Sequence, residues 1–179
     1  ATLVAPASPV ATSTATTLAC SPATKSFIAS GDAFVTEASP TANSGTGAEL
    51  KAKLASGQST ESYLLFNVSG LNGSVSQAIL QLTTANYAGA DTVSAPDVRV
   101  VTGAWSETTV TWATKPAYGG VIANGGTAWP ISTVYSWDVT SAVSGNGAIN
   151  LALTGNVSDQ VTANSREQIS GKPTLLVTT

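Results

Sequence analysis

Histidine and methionine are absent from the 179 residues, and Cys20 is the only cysteine. A Ser-His-Asp triad, a His/Cys zinc site and an internal disulfide are thereby excluded. Charge is scarce as well. Only 9% of the chain is charged, about a third of the usual share, and Ser, Thr, Ala and Gly take up the surface. The seven Lys and Arg residues are dispersed and the net charge is −3, which speaks against nucleic acid as a partner, because neutralising phosphates takes clustered cations. No apolar run reaches the roughly 20 residues of a membrane span, so membrane insertion is not expected. The chain opens on Ala1 without Met or a basic leader, the pattern expected of a mature extracellular or cell-surface protein after signal-peptide removal.

What is present is β-forming residues in short runs. Ser62–Thr83 holds two strand-length runs rich in Leu, Ile, Val and Phe, separated by a Gly/Asn/Ser break at Ser69–Ser74; it reads as a hairpin. In the second run Ala78, Leu80 and Leu82 alternate with Ile79, Gln81 and Thr83, giving one core-facing side. Further strands are expected at Gly31–Ala38, Glu49–Ala55 with Leu50, Ala52 and Leu54 inward and Lys51 and Lys53 outward, Asp97–Thr102, Thr133–Val139, Ile149–Thr154 and Pro173–Thr178. Trp105–Trp112 is also strand-like, and Tyr118–Pro130 is a Gly-rich excursion. About eight or more short strands with turn clusters between them and no helical period predict an all-β fold, a two-sheet antiparallel sandwich. One domain, 27–179, fits the length.

Residues 1–26 stand apart as an extended arm, uncharged before Lys25 and without an aromatic before Phe27. This composition fits a flexible linker. The alternative is a donor strand. Val10, Thr12, Thr14, Thr16, Leu18 and Cys20 share one face and small residues the other, while Leu3 and Val4 are placed to anchor the tip. Ordering such a segment costs roughly 1–2 kcal/mol per residue, which it cannot recover by packing on itself. Insertion into the sheet of another copy would recover it and would propagate head-to-tail. The expected function on this reading is a subunit of an extracellular filament, with copies of itself as partners.

The order D-A-F-V, P-x-x-N-x-G, S-Y-L-L-F-N-V-S-G-L, A-I-L-Q-L, W-S-E-T-T-V-T-W, W-D-V-T, N-L-A-L-T, S-R-E and P-T-L-L-V-T resembles the DNRLRE domain family, over about residues 31–179. That family is close to a carbohydrate-binding module family found attached to alginate lyases. The resemblance implies a jelly-roll-like extracellular sandwich without catalytic activity of its own. It supplies the alternative function, a non-catalytic module recognising an acidic polysaccharide.

For sugar binding, Trp129, beside Pro130 in a Gly-rich loop, is the aromatic expected to be exposed, and Tyr118 follows it; Trp105, Trp112 and Trp137 are expected in the core. Arg166 can offer its guanidinium fork to a uronate carboxylate or hold a structural ion pair with Glu167. Asp32, Glu107 and Asp138 are the oxygens available to calcium, although no D-x-D-x-D-G spacing is present; otherwise no cofactor is expected. Asn67, Asn72 and Asn156 match the N-glycosylation acceptor pattern. Cys20 is expected to be a buried free thiol.

Overall fold

The computed structural model describes residues 1–2 and 21–179. Leu3, Val4, Val10, Thr12, Thr14, Thr16, Leu18 and Cys20, on which the donor-arm expectation rests, lie outside the described residues.

Among the described residues eleven strands follow one another: β1 Thr24–Ile28, β2 Gly31–Thr36, β3 Glu49–Ala52, β4 Thr60–Val68, β5 Gln77–Thr83, β6 Asp97–Val101, β7 Tyr118–Ala123, β8 Val134–Asp138, β9 Gly147–Thr154, β10 Val161–Asn164 and β11 Thr174–Thr178. They form a four-stranded sheet, β1-β11-β5-β8, and a five-stranded sheet, β2-β4-β9-β6-β7, with a small β10-β3 pair beside them. All pairings are antiparallel. The chain is a β-sandwich, as its alternating patterns require.

The core lies between the two sheets. Ala78, Leu80 and Leu82 of β5, Leu175 and Val177 of β11, Leu64 and Phe66 of β4 and Leu151 and Leu153 of β9 are all buried there. Leu50 and Ala52 point inward as their alternation predicts, but Leu54, beyond the end of β3 at Ala52, is exposed.

Four sequence expectations change. The two runs of Ser62–Thr83 do not form a hairpin: β4 sits in one sheet and β5 in the other. The Ser69–Ser76 link is a crossing between layers, held where the Leu71 N–H donates to Asn146 Oδ1 at 2.8 Å. Trp105–Trp112 is not a strand but a set of turns, in which the Thr109 and Val110 N–H groups both donate to the Ser106 carbonyl. Short polar side chains satisfy backbone groups locally and so compete with a ladder. The Gly-rich excursion, by contrast, supplies edge strand β7. Residues 24–26, assigned to the arm from composition, pair with β11, so the sandwich begins at Thr24.

Candidate functional site

The turn segment after β6 lies across the outer face of the five-stranded sheet and builds a second, smaller core. Ala33 and Val35 of β2, Tyr63 of β4, Ala152 of β9 and Val101 of β6 contribute to it, together with Val110, Trp105, Trp112 and Tyr118. Trp105 is fixed by its indole N–H, which donates to Asn150 Oδ1 at 2.9 Å, and by the Tyr63 ring, tilted 53° at 5.8 Å. Trp112 and Tyr118 are half-buried at the margin. There the turn segment and the sheet enclose a cleft of about 340 Å3, lined among others by Lys53, Glu61, Arg99, Trp112, Lys115 and Tyr118. This falls within the size of small-ligand sites.

Glu61 organises the cleft. It is buried on the outer face of β4, where its Oε1 accepts from Lys115 Nζ at 2.7 Å and from the Tyr118 hydroxyl at 3.0 Å. Its Oε2 accepts from the Tyr63 hydroxyl at 2.9 Å. Burial, and next the Glu61 charge, push the Tyr118 phenol up to about 12 and raise the Tyr63 phenol further, so both stay protonated donors at neutral pH. Lys115 Nζ also stands 3.4 Å from the Trp112 ring centroid, a cation–π contact that fixes the indole.

The cations are the unusual feature. Three of the chain's seven Lys and Arg residues, Lys53, Arg99 and Lys115, line this one cleft. Arg99 lies 5.4 Å from the Tyr118 ring centroid, and donates from Nε to Thr154 Oγ1 and from Nη1 to the Gly119 carbonyl, both at 3.1 Å. Among the described residues its Nη2 has no partner, and neither Arg99 nor Lys53 is paired with a carboxylate. Register shifts on both sides of Arg99 in the β6–β7 ladder re-aim its side chain, a common role of bulges beside binding sites. Gly155 closes one wall: a Cβ there would stand 2.3 Å from the Lys53 carbonyl carbon. Gly155→Ala is therefore expected to push the Lys53 strand end outward and destabilise the fold by about 1–3 kcal/mol, read as a lowered thermal midpoint.

Of the residues expected from sequence to bind sugar, only Tyr118 lies here. Trp129 is not an exposed ring: it is fully buried. Its backbone pairs with Thr92, its Nε1 donates to the Thr133 carbonyl at 2.8 Å, and its ring packs edge-on against Trp137 at 5.4 Å. Its loop folds down onto the core where the composition suggests that it projects. Arg166 sits elsewhere, gripping Glu107 through Nε–Oε1 at 2.6 Å and Nη2–Oε2 at 2.8 Å, with Glu167 Oε1 at 3.1 Å. Its fork is already filled by a structural pair. Trp112, expected in the core, is instead at the cleft margin. Lys53, Arg99, Lys115 and Glu61 are missed by sequence reasoning. Nothing local marks them, because they meet only when the end of β3, β4, β6 and the turn segment come together.

The acids regroup too. Asp32, Glu107 and Glu167 have carboxylate oxygens within 4.8 Å of one another, while Asp138 is on β8, accepting from the Thr140 N–H and hydroxyl. The Arg166 guanidinium stands among the first group. Asp32 Oδ2 accepts from the Arg166 N–H at 2.8 Å, and its own N–H donates to Glu107 Oε1 at 2.8 Å. Burial first, then the Glu167 and Glu107 charges, hold its carboxyl up at about 7. Of the glycosylation acceptors, Asn67 and Asn72 are exposed, while the Asn156 amide is occupied by the Ala95 carbonyl at 3.0 Å.

No curated protein matches the chain. The profile of carbohydrate-binding module family 96 matches residues 23–179, a span that begins one residue before β1 and includes both sheets and the cleft. The sandwich therefore belongs to carbohydrate-binding module family 96.

Proposed function

We propose that this domain is a non-catalytic module that binds an extracellular acidic polysaccharide in the cleft on its five-stranded sheet. The observation that carries this reading is the open guanidinium edge of Arg99, next to Lys53 and beside two aromatic rings, in a chain of net charge −3. A uronate residue offers a planar carboxylate for the guanidinium of Arg99 and apolar C–H groups for the margin of the half-buried Tyr118 ring. Head-to-tail assembly through the arm is the leading expectation from sequence, but no observation among the described residues favours it over sugar binding.

The test is titration calorimetry with a hexauronate. Arg99→Ala is expected to weaken binding about tenfold to a hundredfold, the range for a lost charge-assisted hydrogen bond. Arg99→Lys keeps the charge and loses the fork, and should fall between. Lys53→Ala should make a smaller difference, and raised salt should weaken the wild type more than Arg99→Ala. Equal hexauronate affinities for the wild type, Arg99→Ala and Lys53→Ala would remove the cleft from consideration.

A further inference from the structure

At one end of the sandwich three loops meet: the one after β5, the one before β8 and the one between β10 and β11. They enclose a bowl of about 490 Å3 that shares no lining residue with the cleft. Asn86, Tyr87, Ser132, Asn164, Gln168 and Gly171 line it. We infer that this bowl is a second sugar subsite, for an uncharged hexose residue; the inference rests on the reading of the chain as a sugar-binding module, but not on the cleft.

Four observations carry it. Tyr87 is 45% exposed, yet its ring is anchored, since its hydroxyl donates to Glu49 Oε1 at 2.8 Å while Lys51 holds the same carboxylate at 3.0 Å. An exposed ring fixed at its polar tip is a platform for the apolar face of a sugar. Next, the amides keep free ends. Asn86 Oδ1 accepts from Ser132 Oγ and Asn164 Nδ2 donates to the Ser170 carbonyl. Among the described residues, Asn86 Nδ2, Asn164 Oδ1 and the whole Gln168 side chain have no partner. Together they offer both donors and acceptors, as neutral hydroxyls require.

The third observation is strain. Ser132 is the only non-glycine described residue with a left-handed backbone, at φ 54°, and it lies in this wall with its side chain on Asn86. Such conformations gather at binding sites, where surrounding contacts hold them. Gly171, at φ +65°, forms another wall, and a Cβ on it would come within 2.8 Å of Asn164 Nδ2 and 3.0 Å of Thr83. The fourth is charge. No Lys or Arg lines the bowl, and Glu49 there is already paired with Lys51; a uronate finds no cation to pair with, and a neutral hexose needs none.

The experiment is amide chemical-shift mapping on the full chain with neutral gluco-, manno- and galacto-configured hexasaccharides, each with and without saturating hexauronate. At least one neutral probe is expected to shift Asn86, Tyr87, Gln168 and Gly171, whether or not hexauronate is present. Tyr87→Ala should weaken that probe about tenfold and leave hexauronate binding unchanged. Gln168→Ala should weaken it too; its side chain makes no bond within the chain, so loss of folding cannot account for the result. The inference is overturned if no neutral probe shifts these amides, if the shifts fall on Arg99, Trp112 and Tyr118, or if hexauronate itself fills the bowl. Neutral-probe shifts at the bowl with no hexauronate response at Arg99 would sink the cleft proposal and leave this one standing.

Discussion

Trp129→Ala is expected to cost about 3–5 kcal/mol of folding stability and to leave the sugar affinity of the remaining folded protein unchanged. The ring is fully buried, lies edge-on to Trp137 at 5.4 Å and tilted to Tyr135 at 5.7 Å, and its removal opens a cavity that these aromatic neighbours cannot close by rotamer changes. The Thr133 carbonyl, which accepts from the indole N–H, still accepts from the Thr84 N–H at 3.1 Å, so the cavity carries most of the loss. Since small domains are stable by only about 5–15 kcal/mol, the midpoint in urea should fall steeply. Trp129→Phe should fall less, losing the hydrogen bond and part of the volume. A thermal midpoint unchanged by Trp129→Ala, with reduced glycan affinity, would mean that the ring is a sugar platform after all.

Raising the pH from 5 to 8 should destabilise the protein, and Asp32→Asn should abolish most of that loss. In the folded chain the Asp32 carboxyl is held up at about 7 against an ordinary 3.8, mainly by burial and then by the Glu167 and Glu107 charges. Between those values the folded state keeps a proton that the unfolded state has released, so stability falls with rising pH and levels off above about 7. At about 1.4 kcal/mol for each pH unit between them, the ceiling on the whole effect is about 4 kcal/mol. Two other carboxyls act in the opposite direction, but only at and below the ordinary carboxylate range. At Glu49 burial is outweighed by the hydrogen bonds from Lys51 and Tyr87, and at Asp138 the Thr140 hydroxyl and N–H lower the value. The amide oxygen introduced by Asp32→Asn can still accept the Arg166 N–H, so this variant should already exceed the wild type at pH 5 and exceed it further at pH 8. Thermal melts of both proteins across this range provide the check; parallel pH profiles would show that Asp32 is ionised throughout.

The sandwich was legible in the chain because burial on a strand has a period of two. Ala78, Leu80 and Leu82, or Leu50 and Ala52, reveal their inward face without any knowledge of what covers it, and the scarcity of charge together with the absence of histidine removed whole classes of chemistry. The family-like motifs begin at about residue 31, inside β2, and leave out β1, which begins at Thr24. What they could not carry was pairing. The Ser62–Thr83 runs look the same whether they form a hairpin or cross between sheets, because each strand's pattern records only that one face is buried.

The binding surfaces were least visible of all. Trp129 and Trp112 sit in similarly polar, turn-rich surroundings, and only the folding of one loop inward and another across the outer sheet sends the first to the core and the second to a cleft. Lys53, Arg99 and Lys115, spread over more than sixty positions of sequence, become one basic surface only after β3, β6 and the turn segment converge. Local alternation decides which residues are hidden, since it depends on backbone geometry alone. Which side chains meet depends on long-range contacts, and these come into being only with the tertiary structure.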